Sequence, residues 1–106
     1  MLFRSATKHG ASEDAIESLV RAAAAAKAVR LAGLMILPPW NENPEVTRPW
    51  FLRLRQLRDR LVDRGIPAGA LRHLSMGMSH DFEAAVEEGA TMVRVGTAIF
   101  GKRDKL

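Results

Sequence analysis

Cysteine is absent from the sequence. Its absence excludes disulfide bonds and thiolate metal sites, and it is compatible with a reducing compartment. The sequence also lacks an apolar run long enough to cross a bilayer and a signal-peptide hydrophobic segment. We therefore expect a cytoplasmic protein with no membrane partner.

Several catalytic and metal-binding patterns are missing as well. The three histidines, His9, His73 and His80, do not have the spacing of metal ligands, and we expect structural or solvent-facing roles for them. No Walker motif and no set of nucleophile, histidine and carboxylate is visible. These absences argue against a metalloenzyme, a nucleotide hydrolase and a hydrolase with a catalytic triad.

The positive charge of the chain comes mainly from arginine. Lysine and arginine together number 16, against 12 aspartate and glutamate residues, which gives a formal net charge of +4. Many of the arginines lie between Arg48 and Arg64, where Leu54, Leu57 and Leu61 recur at helical spacing. We expect these arginines to form the solvated face of an amphipathic helix, so no nucleic-acid partner is predicted.

The chain of 106 residues is long enough for one small domain. Apolar periodicity, N-caps and glycine stops predict three helices and three strands. The helices are expected at 13–27, 47–64 and 80–88, with Ser12 and Ser79 as N-caps, and the strands at 30–37, 72–76 and 91–95. Residues 1–11 are predicted to be a loop, 12–101 to hold the βα units, with a helical turn at 98–100, and 102–106 to be a charged tail.

The alternation of helices and strands predicts an α/β fold, because parallel strands joined by right-handed crossovers need flanking helices. Three strands cannot close a barrel, so the sequence predicts part of a larger α/β domain. Gly33, inside the first predicted strand, indicates that another backbone approaches closely there. In such a part-domain we expect partial exposure of the inner strand faces, at Leu34, Ile36, Leu74, Val93 and Val95.

Two turns of small residues follow the last two predicted strands. The first turn is Ser75–Ser79 and the second is Gly96-Thr97. Because parallel strands end at the same edge of a sheet, the backbone N–H groups of both turns can converge on one phosphate-sized anion. Simpler interpretations remain open: Ser79 as a plain N-cap, Gly96-Thr97 as a strand-ending turn, and the nearby Arg94 as a surface residue.

Four sequence motifs are specific enough to indicate a family. They are G-L-M at Gly33–Met35, R-P-W-F-L-R-L-R-Q-L-R-D-R-L at Arg48–Leu61, L-S-M-G-M-S-H-D-F-E-A-A-V-E-E-G at Leu74–Gly89 and V-R-V-G-T-A-I-F-G at Val93–Gly101. Together they resemble the pyridoxal phosphate homeostasis protein family, the YggS-like proteins. The resemblance covers nearly all of the chain from about Ala6.

The resemblance implies a TIM barrel like the N-terminal domain of alanine racemase, which binds pyridoxal 5′-phosphate (PLP). This chain would be a partial barrel that holds the last three βα units. The family has no established catalytic turnover, so the resemblance implies a binding protein and not an enzyme. The cofactor-binding residues it implies are Met35 near the cofactor, Arg94 facing the pyridine nitrogen, and, around the phosphate, Ser75, Gly77, Met78, Ser79, Gly96 and Thr97.

The sequence departs from the family at the Schiff-base lysine, which in the family ends the first barrel strand of a chain about twice this long. None of the four lysines, Lys8, Lys27, Lys102 and Lys105, ends a predicted strand. We therefore interpret the chain as the C-terminal half of a PLP homeostasis protein, truncated so that the phosphate-binding half of the site remains. Two alternatives stay open: a fragment of a PLP-dependent racemase or decarboxylase barrel, and a fragment without function. As partners we expect PLP or its phosphate group, together with self-association through exposed sheet edges.

Overall fold

The computed structural model describes residues 2–3 and 11–101 and contains four strands and four α-helices. Helices and strands alternate after the first strand, as the sequence predicts. In chain order the elements are β1 (Leu2–Phe3), α1 (Glu13–Ala25), β2 (Gly33–Ile36), α2 (Pro44–Asp63), a 3-10 helix (Ala68–Leu71), β3 (His73–Met78), α3 (Phe82–Glu87), β4 (Met92–Arg94) and α4 (Thr97–Phe100).

The strands form one parallel sheet in the order β1-β2-β3-β4. This arrangement confirms the predicted α/β class. The prediction of a loop over 1–11 is wrong at Leu2–Phe3, which pairs with Met35 and Ile36. Two residues are too few to show a strand periodicity, so β1 depends on its neighbour in the sheet and not on a local signal. Residues 4–10 of the predicted loop lie outside the described residues.

Helices α1, α2 and α3 cover one face of the sheet. Leu34 and Ile36 of β2 alternate with less buried residues, and so do Leu74 and Met76 of β3. These four side chains are buried in one cluster with residues of the helices and the connecting segments: Ile16, Val20, Phe51, Leu54, Leu57, Leu61, Ile66, Leu71, Ala84 and Ala85. Exposure at Leu34, Ile36 and Leu74 was therefore predicted wrongly, because these residues point toward the helices and not into the barrel interior. Val93, on the last strand, is 36% exposed, but it alternates with Met92 and Arg94 and therefore also lies on the helix side of the sheet.

Helix α2 begins about three residues earlier than the sequence periodicity predicts. Asn43 is its N-cap and accepts a hydrogen bond from the backbone N–H of Glu45 at 3.0 Å, and Pro44 occupies the first helical position. Pro49 lies inside the helix rather than in its first turn, so one N–H of the helical ladder is missing there. The helix ends before Gly65, whose φ of 102° confirms the predicted C′ glycine.

Several arginines of α2 form ion pairs with residues of the neighbouring helices, in addition to facing solvent. Glu13 of α1 accepts hydrogen bonds from Arg53, at 2.8 Å, and from Arg60. Arg48 reaches Glu88, just after α3, at 3.1 Å. The hydrogen bond from Arg53 is the main cause that lowers the pKa of Glu13 below its ordinary value. Each exposed pair contributes little to stability, but together they fix α2 against both neighbouring helices.

We predict that Gly33→Ala destabilises the chain. An added Cβ would lie 2.0 Å from the backbone carbonyl oxygen of His73, which confirms the close approach expected from the sequence. That oxygen belongs to β3 and cannot move without shifting the strand, so a loss of about 1–3 kcal/mol or more is expected. Urea unfolding followed by circular dichroism measures it.

Gly69→Ala is the matched control, because a Cβ at Gly69 meets no heavy atom within 4 Å. Its effect should stay within about 0.5 kcal/mol. Equal unfolding midpoints for the two variants would contradict the close packing of β2 on β3.

Candidate functional site

The sheet face that points away from the helices carries the polar and polarizable side chains. Met35 of β2 is in register with Ser75 of β3, and Ser75 is in register with Met92 of β4. Arg94, two residues after Met92, is on the same face. This face would be the barrel interior, and it brings together three of the predicted cofactor residues: Met35, Ser75 and Arg94.

Arg94, the last residue of β4, connects this strand to the middle of β3 and to the end of β2. Its Nη1 donates to the Ser75 hydroxyl oxygen at 2.7 Å and to the Ser75 carbonyl at 3.3 Å, and its Nη2 donates to the Ile36 carbonyl at 2.9 Å. Partial burial lowers the pKa of the guanidinium below its ordinary value, and the charge of Asp81 opposes this shift. The simpler interpretation of Arg94 as a surface residue is therefore wrong, and the partner expected for a charge inside an apolar strand is present.

The two predicted turns meet in the structure. The backbone N–H of Gly96 donates a hydrogen bond to the hydroxyl oxygen of Ser79 at 3.1 Å. Thr97 follows as the first residue of α4 and is exposed. A Cβ placed on Gly96 would meet no heavy atom within 4 Å, so the space in front of this turn is open. The turns thus lie side by side at one edge of the sheet, as a shared anion site requires.

Ser79 is not the N-cap of α3, contrary to the prediction. The helix begins at Phe82, and Asp81 is its N-cap residue. The Asp81 side chain is buried, and its Oδ1 accepts a hydrogen bond from the backbone N–H of Met78 at 2.7 Å. A carboxylate accepts such a bond more strongly than a serine hydroxyl does, so Asp81 fixes the turn and leaves the Ser79 hydroxyl to contact Gly96. The predicted start of this helix was therefore two residues too early, because residues 79–81 form a turn before the helix begins.

Gly77 packs closely against α3, on the helix side of the first turn. Its φ is 102°, a conformation that favours glycine, and a Cβ there would lie 2.7 Å from the Cβ of Ala85. Gly77 therefore lets α3 pack against β3 and does not point into the open face. Met78, the last residue of β3, has an exposed side chain. Gly77 and Met78, both predicted cofactor residues, lie on the turn. They are not part of the group formed by Met35, Ser75 and Arg94.

An aromatic pair that was not predicted from the sequence lies beside the turn. The rings of Trp40, in the loop after β2, and His80 have centroids 5.4 Å apart. His80 lies in the turn before α3 and not in its first helical turn. Its Nε2 is 3.4 Å from Asp81 Oδ2, with a geometry that makes no hydrogen bond. Trp40 and His80 are 40 positions apart in the sequence, so no local sequence pattern could predict their contact.

Comparisons with known proteins agree with this geometry. The family described as alanine racemase, N-terminal domain, matches residues 4–104. The chain belongs to this family. It is 52% identical over 97 residues to the pyridoxal phosphate homeostasis protein of Aquifex aeolicus, and the match spans 92% of this chain and 42% of the relative. The protein of the same name from Pseudomonas aeruginosa is 42% identical, over 93% of this chain and 40% of its own length.

A solved structure of a related protein has the same fold over the matched part. PipY of Synechococcus elongatus PCC7942, determined with PLP bound, superposes with a TM-score of 0.84 at 31% identity. The superposition covers 95% of this chain and 47% of PipY. The family resemblance stated from the motifs is thereby confirmed, and the chain spans less than half the length of these relatives. A partial barrel accounts for both the four-stranded sheet and this share.

Of the four lysines, the structure describes one. Lys27 is exposed just after α1, whereas Lys8, Lys102 and Lys105 lie outside the described residues. Within the described ranges, no group of three or more His, Asp or Glu side chains could hold a metal ion. Over the same ranges, none of the helices is both long and apolar enough to cross a membrane.

We predict that Arg94→Met lowers the free energy of unfolding by about 1–3 kcal/mol, because the Ser75 and Ile36 acceptors lose a charged donor. Urea unfolding followed by circular dichroism measures the loss. Arg72→Met is the matched control: it removes the same charge from an exposed arginine that precedes β3. If both variants unfold at the same urea concentration, the three-strand contact of Arg94 does not stabilise the sheet.

Proposed function

We propose that this chain is the phosphate-binding part of a PLP-binding protein involved in intracellular PLP homeostasis. One observation carries the proposal: the hydrogen bond from the Gly96 N–H to the Ser79 hydroxyl, which joins two turns at the carboxyl ends of adjacent parallel strands. Membership in the alanine racemase N-terminal domain family and the likeness to PipY, whose solved structure contains PLP, support it.

The residues present fit a phosphate group. The Ser79 hydroxyl and the backbone N–H groups of Gly96 and Thr97 would donate hydrogen bonds to it, with Gly77 and Met78 supplying the backbone of the turn. The open space in front of Gly96 suits close approach of an anion to the backbone. A phosphate would take over the Gly96 N–H that Ser79 now accepts, so the serine hydroxyl would turn from acceptor to donor.

The remaining side chains fit the pyridine ring. Arg94, held by neutral oxygens, presents a guanidinium on the open face beside Ser75, and Met35 lies on the same face. A guanidinium facing the ring nitrogen would keep that nitrogen unprotonated. PLP, when bound, supplies an aldehyde and an electron-accepting ring, and an unprotonated nitrogen weakens that electron acceptance. This arrangement favours a carrier over a racemase or decarboxylase, and we propose that the chain has no catalytic turnover of its own.

The test is titration of the chain with PLP, followed by absorbance and by phosphorus NMR, with pyridoxal as the ligand without phosphate. PLP should bind and pyridoxal should not. Ser79→Ala should weaken PLP binding by about 1 kcal/mol, the typical contribution of one hydrogen bond. Gly96→Val should weaken it more, because its side chain would fill the open space in front of the turn.

Gly69→Val is the matched control for Gly96→Val, since a Cβ at either glycine meets no heavy atom within 4 Å. Unchanged PLP affinity in Ser79→Ala and Gly96→Val would contradict the phosphate site. Borohydride reduction after PLP addition tests for a covalent bond to the cofactor. Scattered, low-yield labelling of the lysines is expected, and stoichiometric labelling of one lysine would contradict the expectation that this chain has no matching lysine.

We also propose that copies of the chain associate through the β4 edge of the sheet. Strand β4 ends the sheet order, and apolar side chains near it are exposed: Met92 at 52%, Ile99 at 69% and Phe100 at 85%. An edge strand with unpaired backbone groups and apolar side chains is a template for pairing with another chain. A second copy carries the same surface and is therefore the proposed partner.

Sedimentation equilibrium should show dimers or larger species of the chain. Val93→Lys places a charge on the edge strand and should shift the equilibrium toward monomer. Val29→Lys is the control, since Val29 is 62% exposed in the loop before β2 and away from β4. A strictly monomeric parent chain would contradict association through this edge.

A further inference from the structure

A cavity of about 410 Å³ lies at the end of the sheet opposite to the candidate phosphate site. It is formed where strands β2 and β3 begin, by residues of the segment after α1, of the segment leading into β2 and of the 3-10 helix. Its apolar lining consists of small and branched residues: Ala24, Ala26, Val29, Leu31, Ala32, Pro67 and Ala70. The volume falls within the range of small-molecule sites.

Arginine makes this cavity positively charged. Arg30 and Arg72 line it together with His73, and none of its described lining residues is acidic. His73 Nδ1 is within 3.2 Å of the Thr91 hydroxyl, so the ring is held in place. Nothing in the lining therefore neutralises the two guanidinium groups.

The two arginines differ from the other arginines of the range 11–101. Neither Arg30 nor Arg72 makes an ion pair or side-chain hydrogen bond with any residue that the structure describes. The others each contact a carboxylate or a carbonyl oxygen: Arg21, Arg48, Arg53, Arg55, Arg58, Arg60, Arg64 and Arg94. Both arginines without such a partner are exposed and line the same cavity, so their guanidinium groups are available to a ligand there.

Two nearby negative features do not cancel this charge. The carboxyl end of α1 lies beside the cavity, but a helix dipole is equivalent to about half an elementary charge. Asp59 and Asp63 line a neighbouring cavity that Arg72 also borders, and neither forms an ion pair with it in the part of the chain that the structure describes. The positive charge of the two guanidinium groups therefore exceeds the partial negative charge of the helix end.

We infer that this cavity is a second anion site, which binds a small organic anion with a phosphate or carboxylate group on an apolar body. The two guanidiniums bind the oxyanion, and the alanine, valine and leucine side chains cover the body of the ligand. The site is independent of the proposed PLP phosphate site, because it lies where the strands begin and not where they end. A ligand there would contact the segment that leads into β2 and the first residue of β3 at the same time.

The test is a titration of the isotope-labelled chain at fixed ionic strength, followed by amide NMR. Phenyl phosphate and benzoate are the probes, and inorganic phosphate is the probe without an apolar body. Saturable shifts are expected at Ala32, Gly69 and Ala70. Inorganic phosphate should bind more weakly than phenyl phosphate, because it leaves the apolar lining uncovered. The stronger of the two organic probes identifies the preferred oxyanion.

Arg30→Gln and Arg72→Gln should each weaken binding about tenfold, as expected for the loss of one charge-assisted hydrogen bond. Arg58→Gln removes the same charge from an arginine outside the cavity and should change affinity less than about twofold. Gly96→Val should leave the shifts at Ala32, Gly69 and Ala70 unchanged, and the amide spectrum of each variant reports its folding. Absence of saturable shifts at these amides, or equal weakening by Arg58→Gln, would overturn the second anion site.

Discussion

The hydrogen bond between the Gly96 N–H and the Ser79 hydroxyl is the contact on which the candidate site depends. It joins turns that follow adjacent parallel strands, so it requires both the parallel pairing of β3 with β4 and the exact lengths of the two strands. A bulge between Ser75 and Met78 gives β3 one residue more than β4 between the two paired positions. Gly77 lies in this bulge, just before the turn. The positive φ of Gly77 and its packing against Ala85 make this bulge possible.

The alternation of side chains across the sheet places the core and the candidate site on opposite faces. Leu34, Ile36, Leu74 and Met76 point to the helices and form the core, whereas Met35, Ser75 and Arg94 point to the open face. The period of two residues in a strand makes this division automatic once the helices cover one face. A charge such as that of Arg94 is tolerated on the open face because neutral oxygens of β2 and β3 accept its hydrogen bonds.

Much of this arrangement could be predicted from the sequence, and the exceptions have physical causes. The close approach at Gly33 and the stop at Gly65 follow from rules about single residues, and the structure confirms both. Strand β1 could not be predicted, because its two residues gain their conformation from pairing with β2. The cap of α3 was assigned to Ser79 and not to Asp81, since both residues can cap a helix and only the course of the backbone decides between them. The binding roles of the site residues stay predictions.

The residues of the proposed phosphate site are close together in the sequence. Ser79 and Gly96 are 17 residues apart, and one βα unit connects them, so their contact forms within a short segment. The Arg94 contacts with Ser75 and Ile36 span 19 and 58 residues, and they also lie inside the described sheet. A phosphate group needs only such local donors at the ends of neighbouring strands. A covalent bond to the aldehyde needs a lysine, which in the resembling family ends the first barrel strand, beyond the strands that carry these turns. In the proposed site, the phosphate group therefore depends only on adjacent strands, whereas a covalent bond to the aldehyde would also depend on a more distant strand.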